Sequence, residues 1–262
     1  MFSNFGCQSI NMLPFKDNFS KQSDIYLKYR PFYPRELYSY LSSLVDSHEL
    51  VWDCGTGNGQ AAIGLAEFFE RVYATDPSEQ QISNCIAHNK VTYKIEKAEH
   101  TGLEMKSVDI VTVANALHWF DLTGFFNEAI RVLKPRGIIA VWAYGNPTVS
   151  PAIDNIVQQY HDVVLGDYWL PENRLVEKGY STVDFPYELI DVPEFYCEKN
   201  MKRDEFIGLL NTWSATQRYI RVNKTNPTDN VAIELCRYWP DGNEERRIIW
   251  KLVLKVGRVN MI

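Results

Sequence analysis

Residues 51–60 read VWDCGTGNGQ, an apolar run that passes through three glycines in five positions and straight into a helical pattern. Glycine has no Cβ and adopts positive φ freely, so a turn built this way lets the backbone touch a ligand closely. A strand leading through such a turn into a helix belongs to a doubly wound α/β sheet, whose ligands bind outside the carboxyl ends of the strands. Asp76 stands 17 residues past Gly59, at the end of the next apolar run, and completes the pattern. The plainer alternative is a turn that serves helix–strand packing, with Asp76 a solvated charge.

Short β-branched or aromatic runs alternate with amphipathic ones through the first 145 residues, which predicts an α/β fold. The strands are expected at 49–53, 71–75, 91–95, 109–114 and 137–143, and the helices at 60–69, 78–88 and 122–133. Lys134-Pro135-Arg136-Gly137 is expected to break the chain before its strand. Upstream, 20–29 and 34–45 read as two helices separated by prolines, forming a cap over 1–46 ahead of a 47–145 core. Downstream, 146–240 reads as a lid or substrate region with helices near 152–165 and 203–213 and a strand near 195–198. A final strand in 241–262, centred on 247–256, carries Lys251 and Lys255 on one face and is expected at a sheet edge. No flexible linker divides these parts, so they read as one domain.

Spacing narrows the ligand. A dinucleotide fingerprint needs glycine or alanine three residues after its second glycine, and Gln60 stands there; a P-loop needs lysine where this chain has Leu65. Asp53, just before the turn, repels a diphosphate and favours an ammonium or sulfonium group. Asp76 is placed to accept from both hydroxyls of a ribose. A nucleoside with a ribose, a cationic end and no phosphate describes S-adenosylmethionine.

The sequence here resembles the class I S-adenosylmethionine-dependent methyltransferases of the type 11 group. Residues 53–60 (DCGTGNGQ) are similar to the family's first motif, 74–78 (ATDPS) to its second, 97–101 (KAEHT) to its third and 109–120 (DIVTVANALHWF) to its fourth. More narrowly, the 19–34 segment, the ALHWF run and 211–214 (NTWS) resemble trans-aconitate methyltransferase-like proteins, a group that includes enzymes esterifying small carboxylic acids. The resemblance implies a Rossmann-like seven-stranded sheet in the order 3-2-1-4-5-7-6, with its last strand antiparallel. It also implies that Asp53, Gly55, Thr56, Gly57 and Gly59 line the methionine moiety, that Asp76 takes the ribose and that Pro77 belongs to the cofactor-binding set. Ala98 and Glu99 would border the adenine and Asn115 would flank the sulfonium. Cys54 departs from the usual valine or isoleucine, as a buried thiol of similar character.

His118 follows the fourth strand, where acceptor and cofactor meet. It is either a general base, if the acceptor must lose a proton, or a residue that positions a carboxylate; simple packing is the alternative. Trp119, Tyr144 and Trp213 are candidates to wall the cleft, with core packing as the rival reading. Tyr29, Arg30 and Tyr33 lie in the proline-stiffened segment that the resemblance brings over the cofactor, with Arg30 a candidate carboxylate holder. The five cysteines and five histidines do not cluster, so no metal site is expected. A net charge of −6, equally divided about residue 150, advertises no nucleic-acid face. No membrane span or signal segment is legible, so a cytoplasmic monomer or homodimer is expected, acting on a small molecule. A nicotinamide-dependent oxidoreductase and a non-catalytic S-adenosylmethionine-binding protein remain the alternatives.

Overall fold

The computed structural model describes residues 29–259. Five parallel strands form its centre: β1 (Leu50–Cys54), β2 (Arg71–Asp76), β3 (Val91–Ile95), β4 (Val108–Ala114) and β5 (Leu133–Tyr144). Three more, β6 (Glu188–Ile190), β7 (Tyr196–Met201) and β8 (Arg246–Arg258), join antiparallel. The sheet runs β3-β2-β1-β4-β5-β8-β6, with β7 paired to β8 off this path. The expected order is therefore present with one strand more than the seven expected. The extra strand arises because β8, at 13 residues, outruns β5; residues 252–258 pair with β5, while β7 and β6 share its other side at 246–251 and 256–258.

That arrangement corrects the reading of the last strand as an edge. β8 lies between β5 and the β6/β7 pair, and its lysines find partners: Lys251 pairs with Glu194, and Lys255 Nζ donates to the Tyr180 carbonyl at 2.6 Å. The expected break at 134–137 is a correction too. β5 already pairs at Leu133, and the prolyl segment is absorbed by a register shift opposite Val108 and Ile110, with Arg136 at φ 65°.

Alternation along the strands gives each face its own core. On one face Val51, Val72, Ile110, Ile138 and Trp142 pack against α1 (Arg35–Ser43), α2 (Gln60–Leu65) and helices of the 146–240 region. Those are α5 (Pro151–Gln159), α7 (Arg203–Asn211), α8 (Ser214–Asn223) and α9 (Thr228–Tyr238). On the other face Trp52, Val111, Val113, Ile139 and Val141 meet Phe125, Phe126, Ala129 and Val132 of α4 (Leu122–Val132). β4 is buried over all but its last residue, as a central parallel strand covered on both sides should be.

Several helices are shorter than expected. α3 (Glu79–Ser83) starts where predicted, with Ser78 Oγ accepting from the Gln81 N–H at 3.3 Å, but ends at Asn84 rather than His88. It buries no residue, so no packing extends it. α7 stops at Asn211, and Trp213 instead precedes α8. The short α6 (Asn173–Glu177), α8, α9 and β6 went unread. The helix expected at 20–29 lies outside the described residues except for Tyr29.

Candidate active site

Because β1 to β5 are parallel, their carboxyl ends share one edge. The order reverses between β1 and β4, and the crevice of a doubly wound sheet opens at that point. The glycine turn follows β1, Asp76 ends β2, and Asn115 follows β4.

In the turn, Gly55, Gly57 and Gly59 all have positive φ (68°, 56° and 87°). Their surroundings differ. A Cβ on Gly55 would lie 2.7 Å from the Ala116 Cβ and 2.9 Å from the Phe120 ring, so the turn and the 116–120 segment are in contact. A Cβ on Gly57 would meet nothing within 4 Å. Gly57 thus opens the backbone towards space, while Gly55 admits protein.

Asp53 is fully buried. It sits in register with Thr112 of β4, whose hydroxyl donates to Oδ1 at 2.9 Å, while the Thr56 hydroxyl donates to Oδ2 at 2.6 Å. It therefore braces the turn. Burial, against the lowering effect of the two threonines, pushes its pKa up to about 6, with nearby Asp76 adding to the rise. Among the described residues no cation is paired with it. Burial and the fields of Asp53, Asp76 and Glu99 hold the Cys54 thiol well above its ordinary range, so three carboxylates converge at the end of β1.

Asp76 Oδ2 accepts from the Gly57 N–H at 3.0 Å and Oδ1 from the Ser78 N–H at 2.9 Å. Two backbone donors thus orient a carboxylate that has about four lone-pair positions to offer. Pro77 follows it, half-buried. Ala98 is buried, and Glu99 Oε1 accepts from the Asp121 N–H ahead of α4 at 3.4 Å. Asn115, at φ 56°, donates its N–H to the Trp142 carbonyl at 2.8 Å, a left-handed conformation that asparagine tolerates better than most residues.

After Asn115 the chain makes a 3₁₀ turn, Leu117–Trp119. His118 is buried in it, its ring 4.7 Å from that of Trp119, and its Nδ1 lies 3.2 Å from the Tyr180 hydroxyl. Burial lowers its pKa to about 4, so the imidazole is neutral at physiological pH.

The cap segment lies against the turn. Gln60, the residue that excludes a dinucleotide fingerprint, donates from Nε2 to the Pro31 carbonyl at 2.7 Å. Arg30 Nη1 donates to the Tyr144 hydroxyl at 3.3 Å, and the Tyr33 ring lies 5.5 Å from Trp142 and 6.2 Å from Tyr144. Phe32 and Tyr33 line a pocket of about 170 Å³ with Asn58, Gln60 and Ile86. The Tyr29 ring packs over Gly208 of α7. Trp213 is placed differently from its neighbours in the prediction. It is buried among Tyr160, His161 and Trp169, with ring separations of 5.9, 5.8 and 5.7 Å, and forms part of the packing within the 146–240 region.

Among the described residues no group of histidine, cysteine and acidic side chains could hold a metal, the cysteines are free thiols, and no helix is long and apolar enough to cross a membrane. Sequence reasoning missed Thr112 and Tyr180. Thr112 lies one strand over from Asp53, within the 109–120 motif, and a pairing of β1 with β4 would have found it.

The pattern of the methyltransferase domain matches residues 52–141. A Dictyostelium discoideum protein named as a methyltransferase is 30% identical over 239 residues, which span 90% of this chain and 91% of its own. The solved structure of a type II methyltransferase from Anaeromyxobacter dehalogenans superposes with a TM-score of 0.84 at 39% identity, covering 89% of this chain and 99% of that one. The chain belongs to the S-adenosylmethionine-dependent methyltransferases. A methyltransferase of Aspergillus candidus is 29% identical over 188 residues, 62% of this chain and 59% of the relative.

The methyltransferase's own residues fit that cofactor. The open Cβ position at Gly57 admits close approach, and the buried, uncompensated Asp53 favours a sulfonium. With its pKa raised from 3.8 to about 6, Asp53 holds its proton more tightly folded than unfolded. Stability from that proton is complete below the unfolded value and is lost, by about 3 kcal/mol, as pH rises through about 6. A bound cation reverses the balance. S-adenosylmethionine affinity is therefore expected to weaken below about pH 6, up to tenfold per unit, while that of S-adenosylhomocysteine, which lacks the sulfonium charge, follows less steeply. Calorimetry from about pH 5 to about pH 8 checks this; a constant ratio of the two affinities removes Asp53 from cofactor selection.

Proposed function

We propose that the methyltransferase transfers the methyl group of S-adenosylmethionine to an oxygen, carboxylate or hydroxyl, of a small molecule in the cytoplasm. When bound, the cofactor supplies an electrophilic methyl on a sulfonium. The chain's residues do the rest. In this reading Asp76 holds the ribose hydroxyls with Pro77 beside it, Ala98 and Glu99 border the adenine, and Asp53, Gly55, Thr56, Gly57 and Gly59 shape the methionine side. Asn115 stands by the sulfur. Tyr29, Arg30 and Tyr33 close the cleft from the cap and Tyr144 from the end of β5, and His118 and Trp119 lie on the acceptor side.

The observation that carries this reading is the pair of carboxylates at the end of β1 and β2. One is buried without a cation and the other is presented by two backbone donors. Together they suit a cationic nucleoside without phosphate. Support for a small acceptor comes from the cap: Gln60–Pro31 and Arg30–Tyr144 tie a segment to the turn and to the carboxyl end of β5, across the edge where an acceptor would enter. Such a site works by aligning acceptor, methyl and sulfur in a water-poor cleft, an effect worth several kcal/mol.

The test is a screen of metabolite extracts with radiolabelled S-adenosylmethionine, followed by mass spectrometry of labelled species. A labelled low-mass ester or ether is expected. Label confined to protein or nucleic acid overturns the choice of acceptor. S-adenosylmethionine binding with no labelled product from any extract favours a non-catalytic binder.

A further inference from the structure

His118 and Tyr180 form a buried pair that the reaction, as described so far, leaves unexplained. Tyr180 follows α6 at φ 54° with its side chain fully buried. Its carbonyl accepts from Lys255 of β8, which fixes the residue from behind. The phenol and imidazole rings are 6.5 Å apart and inclined by 28°, and Tyr180 Oη lies 3.2 Å from His118 Nδ1. Among the described residues the two side chains hydrogen-bond to each other, and His118 Nε2 makes no hydrogen bond.

That geometry favours one placement of the imidazole proton. A tyrosine hydroxyl has one proton to place, and here the acceptor within reach is Nδ1. If Nδ1 were itself protonated it would donate to the phenol oxygen, and the phenol proton would be left without an acceptor in an apolar surrounding, at the cost of an unmade buried hydrogen bond. The favoured state has the phenol donating to a bare Nδ1. The proton of the neutral ring then sits on Nε2, the nitrogen turned away from the protein's own hydrogen bonds.

We propose that Tyr180 is a positioning residue of the methyl transfer: its hydroxyl locks His118 as the Nε2–H tautomer, so that His118 offers the acceptor a hydrogen-bond donor rather than a base. This rests on the reading of His118 as an acceptor-side residue. An Nε2–H has no lone pair with which to take a proton. The nucleophilic oxygen must therefore be ionised before it binds, which a carboxylate is at neutral pH and an aliphatic hydroxyl is not. A lone pair of that oxygen forms the new O–C bond as the methyl–sulfur bond breaks with its electron pair left on sulfur, and no proton changes hands. The donor orients the oxygen and tolerates its charge.

The tautomer is read directly by long-range ¹H–¹⁵N correlation spectra of the full chain labelled with ¹⁵N-histidine, without cofactor or acceptor. The His118 signals, identified by their loss in His118→Gln, are expected to show a protonated Nε2 and a bare Nδ1. Tyr180→Phe, which removes one oxygen, is expected to convert them to a mixture of tautomers. A protonated Nδ1 in the wild type, or an unchanged spectrum in Tyr180→Phe, overturns the proposal. A second measurement uses radiolabelled S-adenosylmethionine with metabolite extract as the acceptor source. His118→Gln, whose amide N–H replaces Nε2–H, is expected to keep the labelling rate within about tenfold, whereas His118→Phe loses about 100-fold. Equal losses in both variants overturn the donor role. Failure of the wild type to bind S-adenosylhomocysteine would instead remove the functional reading, and the spectra would still decide the tautomer.

Discussion

Replacing Gly57 by alanine is expected to weaken S-adenosylmethionine binding by about 100-fold, equivalent to about 3 kcal/mol, while lowering stability by only about 1 kcal/mol. The stability cost is the left-handed conformation at φ 56°, which a side chain adopts with strain. The binding loss is steric, because the new methyl enters open space beside the turn rather than protein. Gly55→Ala carries the same conformational strain but puts its methyl 2.7 Å from the Ala116 Cβ. Its main effect should be on stability, since two packed segments must separate. Thermal melts and calorimetry on the two variants divide the turn's duties. Equal affinity in Gly57→Ala and the wild type would mean that the open face of the turn is not the methionine site.

Asp76→Ala is the second large effect. On the proposed role of Asp76 it would delete two charge-assisted hydrogen bonds to ribose hydroxyls, each worth about 1.5–3 kcal/mol, so S-adenosylhomocysteine affinity should fall by 100-fold or more. The variant also leaves the Gly57 and Ser78 N–H groups without this acceptor, which loosens the turn. Asp76→Asn separates these contributions. It keeps a carbonyl oxygen for one backbone donor, yet its amide nitrogen cannot accept from a hydroxyl. An intermediate loss in Asp76→Asn, with near-wild-type stability, is the expected pattern. Unchanged affinity in Asp76→Ala would remove the residue from the site.

The parts of the site visible in the sequence are those encoded locally. The glycine turn and Asp76 belong to single strand–turn–helix units, so their spacing alone fixes which edge of the sheet they reach. Gln60 shows the limit of such reading. Its identity excluded a dinucleotide, but its bond to the Pro31 carbonyl, 29 residues upstream, required the fold. Thr112 and Tyr180, 59 and 62 residues from their partners, were likewise invisible, because register and lid packing bring them in. The same holds for β8. Its lysines suggested an edge, and only the extra length that recruits β6 and β7 makes it internal.

Asp53 was read as a carboxylate facing the ligand, whereas its side chain is fully buried between two threonine hydroxyls. Its influence is thus electrostatic and architectural at once. His118 also changes character. A pKa of about 4 makes it neutral across the physiological range, so an inflection near neutral pH in a rate profile would belong to another group.

A crystal structure of the methyltransferase grown with S-adenosylhomocysteine tests the whole account most directly. The account predicts the ribose hydroxyls within hydrogen-bond distance of Asp76 and the amino-acid end of the ligand against Gly57, beneath the Arg30–Tyr33 segment. An adenosyl group bound elsewhere, or an open face at Gly57 left unoccupied at saturating ligand, would contradict it.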